Sequence, residues 1–272
     1  MSVRSRIYVL VRMVFINEPT ADIVMKLILT KKSMSKKDKM ILISDIYNKY
    51  VIDYNIPQEV RPRSHISQVI SQYIQTYYFN KIKDVSNLCI LDVGGANGDV
   101  LKNIGENLLI SKRNLYCLEP EKKGWKYMYT NSDYITYVFW DNKSIPKKIK
   151  KNSLDVVIIM VTLHHMTVKD REALFTNLHF LTKPGSLLII KEHDSRDKED
   201  KFCIEWQHAI FAAITNPIDT PSMYEDYKNK EYWDNYICSM GYMDGLSELY
   251  RSFPNGSLKN PTNLYWKVYV KT

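Results

Sequence analysis

The chain has 272 residues and a net charge of +8, and it is 45% hydrophobic and 12% aromatic, which suits a folded protein with a sizeable core and excludes a disordered one. No apolar run reaches the length that crosses a bilayer, and Cys89, Cys117, Cys203 and Cys238 form no C-x-x-C pair, so the composition points to a reducing, cytoplasmic compartment rather than a disulfide framework. Residues 1–88 hold 14 Lys or Arg against 7 Asp or Glu, whereas 89–272 hold 24 against 23, so nearly all the excess charge lies in the first third.

The start, MSVRSRIYVLVRMVF, sets Arg4, Arg6 and Arg12 on an apolar background without a signal-peptide cleavage pattern, and reads as a basic first helix or strand. TKKSMSKKDKM (30–40) reads as a polar, basic break. KMILISDIYNKYVIDY follows with Ile41, Ile43, Ile46 and Tyr50 at mostly helical spacing. IPQEVRPRS (56–64) is a proline loop. HISQVISQYIQTYYF then places Ile66, Val69, Ile70, Tyr73 and Ile74 on one helical face. These elements make residues 1–88 a mainly helical extension. Its charge suits an acidic partner such as RNA, with Arg61 and Arg63 around Pro62 and Lys36 and Lys37 in the break as the contacts, though a solvated basic face or a protein partner fits as well.

From residue 89 the pattern alternates. LCILDV, NLYCLE, YITYVFW, LDVVIIMV and SLLIIK read as strands, and DVLKNIGENLLI and TVKDREALFTNLHFL as helices between them. In the first helix Val100, Leu101, Ile104, Leu108 and Leu109 keep helical spacing, and Thr167 and Asp170 open the second with a capping box. The strands are apolar throughout, as expected of a parallel sheet covered on both faces. Two late runs, GLSELYRSF and NLYWKVYVK, flank a turn rich in Pro, Asn and Gly and predict a C-terminal antiparallel hairpin. The fold class is therefore α/β: a doubly wound, mostly parallel sheet over residues 89–272.

Three of the chain's nine glycines fall in five residues, Gly94 to Gly98, between the first strand and a helix. Glycine there allows a tight turn and lets a ligand touch the backbone at a helix N-terminus. The G-x-G-x-x-G spacing of a dinucleotide cradle is not met. LDVGGANG resembles instead the first motif of class I S-adenosylmethionine-dependent methyltransferases, with Asp92, Gly94 and Gly98 in place and Ala96 at the middle glycine. LYCLEP is similar to the second motif, FWDN to the third, and LDVVIIMVTLHHM to the fourth strand and its active-site turn. The likeness spans about 89 to 192 and does not reach 1–88.

The resemblance implies S-adenosylmethionine as cofactor, with Glu119 on the ribose hydroxyls and Asp141 at the adenine amino group. The full set it implies is Asp92, Gly94, Gly95, Ala96, Gly98, Glu119, Asp141, Asn142 and Val161. For catalysis the ends of the fourth and fifth strands offer His164, His165, Lys191, Glu192, His193 and Asp194, of which His165, Glu192 and His193 are the chosen set. A hydrogen-bonded histidine at a strand end would leave the same trace in the sequence. No ligand spacing points to a metal. The Lys-Asp-Lys-Glu set of cap ribose 2′-O-methyltransferases is missing its Asp, since Val161, Thr162 and Leu163 stand there. The expected activity is methyl transfer to RNA, including an mRNA cap; a small-molecule acceptor and a non-catalytic binding or stimulatory subunit are the alternatives.

Overall fold

The computed structural model describes residues 1–15, 18–31, 34–49, 64–79, 81–82, 84–120, 131–141, 143–144, 146–215, 225–245 and 260–272. Two compact units divide the chain: Met1–Val60 with His193–Lys230 and Gly256–Tyr265, and Arg61–Glu192 with Glu231–Asn255 and Trp266–Thr272.

The second unit is built on one seven-stranded sheet. In chain order its strands are β1 (Ile90–Val93), β2 (Leu115–Pro120), β3 (Thr136–Trp140), β4 (Leu154–Met160), β5 (Thr182–His193), β6 (Tyr242–Asp244) and β7 (Leu264–Lys271), and their spatial order is β3-β2-β1-β4-β5-β7-β6. Strands β3, β2, β1, β4 and β5 run parallel, and β6 pairs antiparallel with β7. All of β1 and all but the last residue of β4 are buried. That is why these strands are continuous apolar runs rather than alternating ones. The expected antiparallel ending is present, though most of GLSELYRSF lies outside the described residues and the strand facing β7 is Tyr242–Asp244.

Helices α4 (Ser64–Tyr78), α5 (Asp99–Leu108), α6 (Val168–Leu181) and α8 (Lys230–Ser239) accompany the sheet, with Lys230 alone counted to the first unit. The α4 face at Val69, Ile70, Tyr73 and Ile74 is buried in one cluster with Val100, Leu101 and Ile104 of α5. The boundary drawn at residue 88 therefore falls inside this unit. Leu109 departs from its expected inward place: it is 82% exposed and left-handed at φ 57°, and the Ile110 N–H closes on the Gly105 carbonyl at 2.8 Å. That closure ends the helix in a Schellman-type turn. Thr167 caps α6 as expected, accepting from the Asp170 amide at 3.2 Å.

The first unit has its own core. Helices α1 (Val3–Arg12) and α3 (Lys36–Tyr47) pack on α7 (Lys198–Thr215), and α1 packs on α2 (Glu18–Thr30), burying Ile7, Leu10, Phe15, Val24, Ile28, Ile43 and Trp206 together. The basic break is shorter than 30–40. Ser35 caps α3 by accepting from the Asp38 amide at 3.2 Å, so Lys36 and Lys37 begin a helix. Ile41 points outward at 48% exposure because Ile43 and Ile46 fix the buried stripe. Two of the basic residues are internal. Arg6 donates to Asp200 at 2.7 Å and to the Pro261 carbonyl at 2.6 Å, and Lys39 pairs with Glu205 at 2.6 Å.

Among the described residues no helix is long and apolar enough to cross a membrane. The four cysteines are free thiols.

Candidate active site

The turn after β1 is shaped by close approach. Gly94 (φ 71°) donates its N–H to the Leu118 carbonyl at 2.8 Å, and a Cβ on it would meet Thr162 Oγ1 at 2.6 Å. Gly98 (φ 75°) is the N-cap of α5, and a Cβ there would collide with Ile135. Ala96 also sits left-handed, at φ 55°, a conformation that costs an L-residue roughly 1–2 kcal/mol. The turn thus keeps its glycine-like backbone where alanine replaces glycine. Under Gly95 lies Asp92, 1% exposed; a Cβ on Gly95 would meet its Oδ2 at 2.5 Å. Asn131 steadies the far side, donating to the Asn97 carbonyl and to Asp99 Oδ1, each at 2.7 Å.

Glu119 ends β2 and turns back onto this loop, where its Oε1 accepts the Ala96 N–H at 2.5 Å. Burial pushes its carboxyl from the ordinary 4.5 up to about 7, opposed by that amide. The amide occupies one lone pair of a carboxylate that has about four, so a pair of vicinal hydroxyls could be held beside it. Burial also raises the thiol of Cys117, two residues earlier, far above its usual range. Asp141 follows β3 and is exposed. Its carboxylate accepts from the amides of Ser144 (2.8 Å) and Lys143 (2.9 Å), which hold it below the ordinary carboxylate range. Asp141 thereby shapes its own loop. Asn142 lies outside the described residues.

At the end of β4, Val161 adopts φ 53° and donates its N–H to the Lys191 carbonyl of β5 at 2.7 Å. A β-branched residue held left-handed is a strained position of the kind that collects at functional sites. The strain turns the chain into a single 3₁₀ turn, Leu163–His165. His164 points inward from it. Its Nδ1 faces Glu192 Oε1 of β5 at 2.5 Å, with the two side chains 1% and 0% exposed. His165 is half-buried, its ring centroid 4.1 Å from that of His164. The sequence favoured His165; the structure instead gives His164 to Glu192. Arg171, fully buried in α6, also escaped the sequence reading. It donates to the Leu163 carbonyl at 3.4 Å and lies 5.0 Å from the Trp233 ring, so it braces the turn that carries both histidines. Only its buried position on an ordinary-looking helix marks it, and a single sequence does not display that.

His193, next on β5, belongs to the first unit. Its Nδ1 donates to the Thr262 carbonyl at 3.2 Å, and its Nε2 lies 3.4 Å from Nε2 of His208. The structure therefore separates the partners of Glu192 from those of His193, as expected for consecutive strand residues that face opposite sides. Arg61 and Arg63 lie outside the described residues, as does the side chain of Lys36; Lys37 is exposed on α3.

A family model described as a methyltransferase domain matches residues 63–227, more than half of the chain. The chain belongs to the class I S-adenosylmethionine-dependent methyltransferases. The solved CurJ carbon methyltransferase superposes with a TM-score of 0.52 at 14% identity, covering 93% of this chain and 71% of that one. The mitomycin 7-O-methyltransferase MmcR gives 0.51 at 11% identity, covering 86% and 60%. A complex of the Trm112 methyltransferase activator and a methyltransferase from Haloferax volcanii gives 0.49 at 14% identity, covering 78% and 94%. At such identities the likeness concerns the fold. No curated protein matches the sequence.

Proposed function

We propose that the protein moves a methyl group from S-adenosylmethionine to an acceptor oxygen or nitrogen that must lose a proton, with His164 as the base. The observation that carries this is the buried His164–Glu192 pair, 2.5 Å apart where β4 and β5 end. A carboxylate can only accept, so Nδ1 carries the ring proton and Nε2 is left basic. Glu192 also stabilises the imidazolium formed when Nε2 takes a proton.

The chain's residues fit the cofactor. The glycine turn has space that a Cβ would fill, Glu119 offers acceptor oxygens for ribose hydroxyls, and Asp92 lies directly under the turn. Val161, Asp141 and Asn142 are the remaining contacts in this reading. When bound, the cofactor supplies an electrophilic methyl on a sulfonium. The protein's work is to hold the acceptor in line and to exclude water. A base is superfluous for a guanine N7 acceptor, which has no proton to lose. The His164–Glu192 pair therefore favours a hydroxyl or N–H acceptor. A screen of labelled methyl transfer over RNA and small hydroxylated or amino acceptors tests this, with His164→Ala as the control; transfer by that variant at the wild-type rate removes the base from the mechanism.

RNA remains the macromolecular acceptor to test first, because Arg4, Lys26, Lys31 and Lys37 are exposed on the basic first unit. RNA binding must then weaken steeply with salt. Reversing Arg61 and Arg63 to Glu should weaken RNA binding and leave cofactor affinity unchanged. Salt-independent or absent binding points to a small-molecule acceptor.

A further inference from the structure

The first unit brings together two histidines that stand 15 residues apart in the chain, His193 at the end of β5 and His208 in α7. His193 is 1% exposed and His208 is half-buried. Their Nε2 atoms face each other at 3.4 Å. The other nitrogen of each ring faces an oxygen acceptor: Nδ1 of His193 meets the Thr262 carbonyl at 3.2 Å, and Nδ1 of His208 meets Glu225 Oε1 at 3.7 Å. The Tyr227 ring packs edge-on against both imidazoles, with centroids at 6.5 and 5.6 Å.

Proton placement on these rings decides what the pair can hold. A carbonyl accepts only, so His193 carries its proton on Nδ1 and directs the Nε2 lone pair outward. The Glu225 carboxylate favours the same tautomer in His208. Two neutral rings so fixed aim two lone pairs at one place, and a cation is needed there. Two nitrogens bound to one tetrahedral zinc at 2.0–2.1 Å stand about 3.3–3.4 Å apart, which is the spacing found. A backbone carbonyl on one distal nitrogen and a carboxylate near the other is also the outer-shell arrangement that orients metal-bound imidazoles.

We propose that His193 and His208 bind a divalent transition metal of the zinc type through their Nε2 atoms, with Thr262 and Glu225 fixing the tautomers. Two imidazoles fill two of four positions and water completes the shell, so the site is open and of modest affinity. Its effect is to fasten α7 to the end of β5 and to the segment at Thr262. This site is independent of the methyl-transfer reading.

The test uses full-length protein freed of metal by a chelator and titrated with Zn²⁺ and, separately, with Co²⁺. One Zn²⁺ should bind per chain and raise the thermal midpoint, and Co²⁺ should develop the intense visible bands of a tetrahedral site. His208→Gln, which removes a half-buried ligand while keeping a polar side chain, should weaken Zn²⁺ by about a hundredfold or more. Glu225→Gln, which keeps both ligands, should weaken it by about tenfold. His179→Ala, at an exposed histidine elsewhere, should change nothing. Unchanged Zn²⁺ affinity in both His208→Gln and Glu225→Gln overturns the proposal. So does a wild-type protein that binds neither metal, in which case the two rings share a proton instead.

Discussion

Glu119→Gln separates the stability of the fold from its use. The wild-type carboxyl holds its proton up to about pH 7 in the folded protein, against an ordinary 4.5. Between those values the folded chain binds more protons than the unfolded one, so this group makes stability fall as pH rises, and the loss levels off above about pH 7. A displacement of that size amounts to about 3 kcal/mol. Glutamine has the same shape, can still accept the Ala96 N–H through its amide oxygen, and does not titrate. Urea unfolding of the cofactor-free proteins at pH 5 and pH 8 should show the variant gaining on wild type by about 2.5 kcal/mol between the two conditions. Calorimetry at pH 8 should show the reverse for the cofactor: losing charge-assisted hydrogen bonds costs roughly 1.5–3 kcal/mol, or about tenfold or more in affinity. Parallel stability curves for the two proteins would refute the burial argument. Undiminished cofactor affinity in the folded variant would take Glu119 out of the ribose site.

His164→Ala should keep cofactor affinity and lower turnover by roughly 10²–10⁴-fold, whereas His165→Ala should cost far less; steady-state rates and calorimetry on both variants check this. Arg171→Lys keeps the charge but loses the planar group over Trp233, and should destabilise the protein by about 1–3 kcal/mol in urea unfolding. Asp200 is raised by burial but pulled down further by Arg196 and Arg6, for a net lowering below 3.8, so the stability it contributes is full above that value and is lost as pH falls through the depressed one. Asp200→Asn should therefore cost about 3–5 kcal/mol at pH 7 and remove that part of the acid sensitivity, as followed by circular dichroism.

What the sequence disclosed is what local patterning encodes. The apolar strands, the glycine turn and the acids at the ends of β2 and β3 lie within short windows, so periodicity and spacing find them. The Thr167 cap is equally local. Leu109 was misplaced because helical spacing runs on past the residue that ends the helix, and only the Gly105 to Ile110 closure shows where it stops. Lys39 and Arg6 looked like surface charge because their partners, Glu205 and Asp200, are 166 and 194 residues away. The choice between His164 and His165 turned on one hydrogen bond to a residue 28 positions later. Two adjacent histidines in a turn carry no periodicity by which to separate them. The Ser35 cap was passed over because the surrounding lysines make the start of α3 look like a loop.

The first unit is assembled from three stretches, Met1–Val60, His193–Lys230 and Gly256–Tyr265. On the ribosome α1, α2 and α3 emerge first, yet α7, on which α1 and α3 pack, begins only at Lys198. At about 5–20 residues per second, the interval is on the order of ten to thirty seconds. Throughout it Ile7, Leu10, Val24, Ile28 and Ile43 have no helix to cover them. A nascent chain in that condition is a client for holding chaperones. A fragment cut at residue 88, where the charge changes, would keep that condition permanently, since the helix that relieves it is encoded in the other piece.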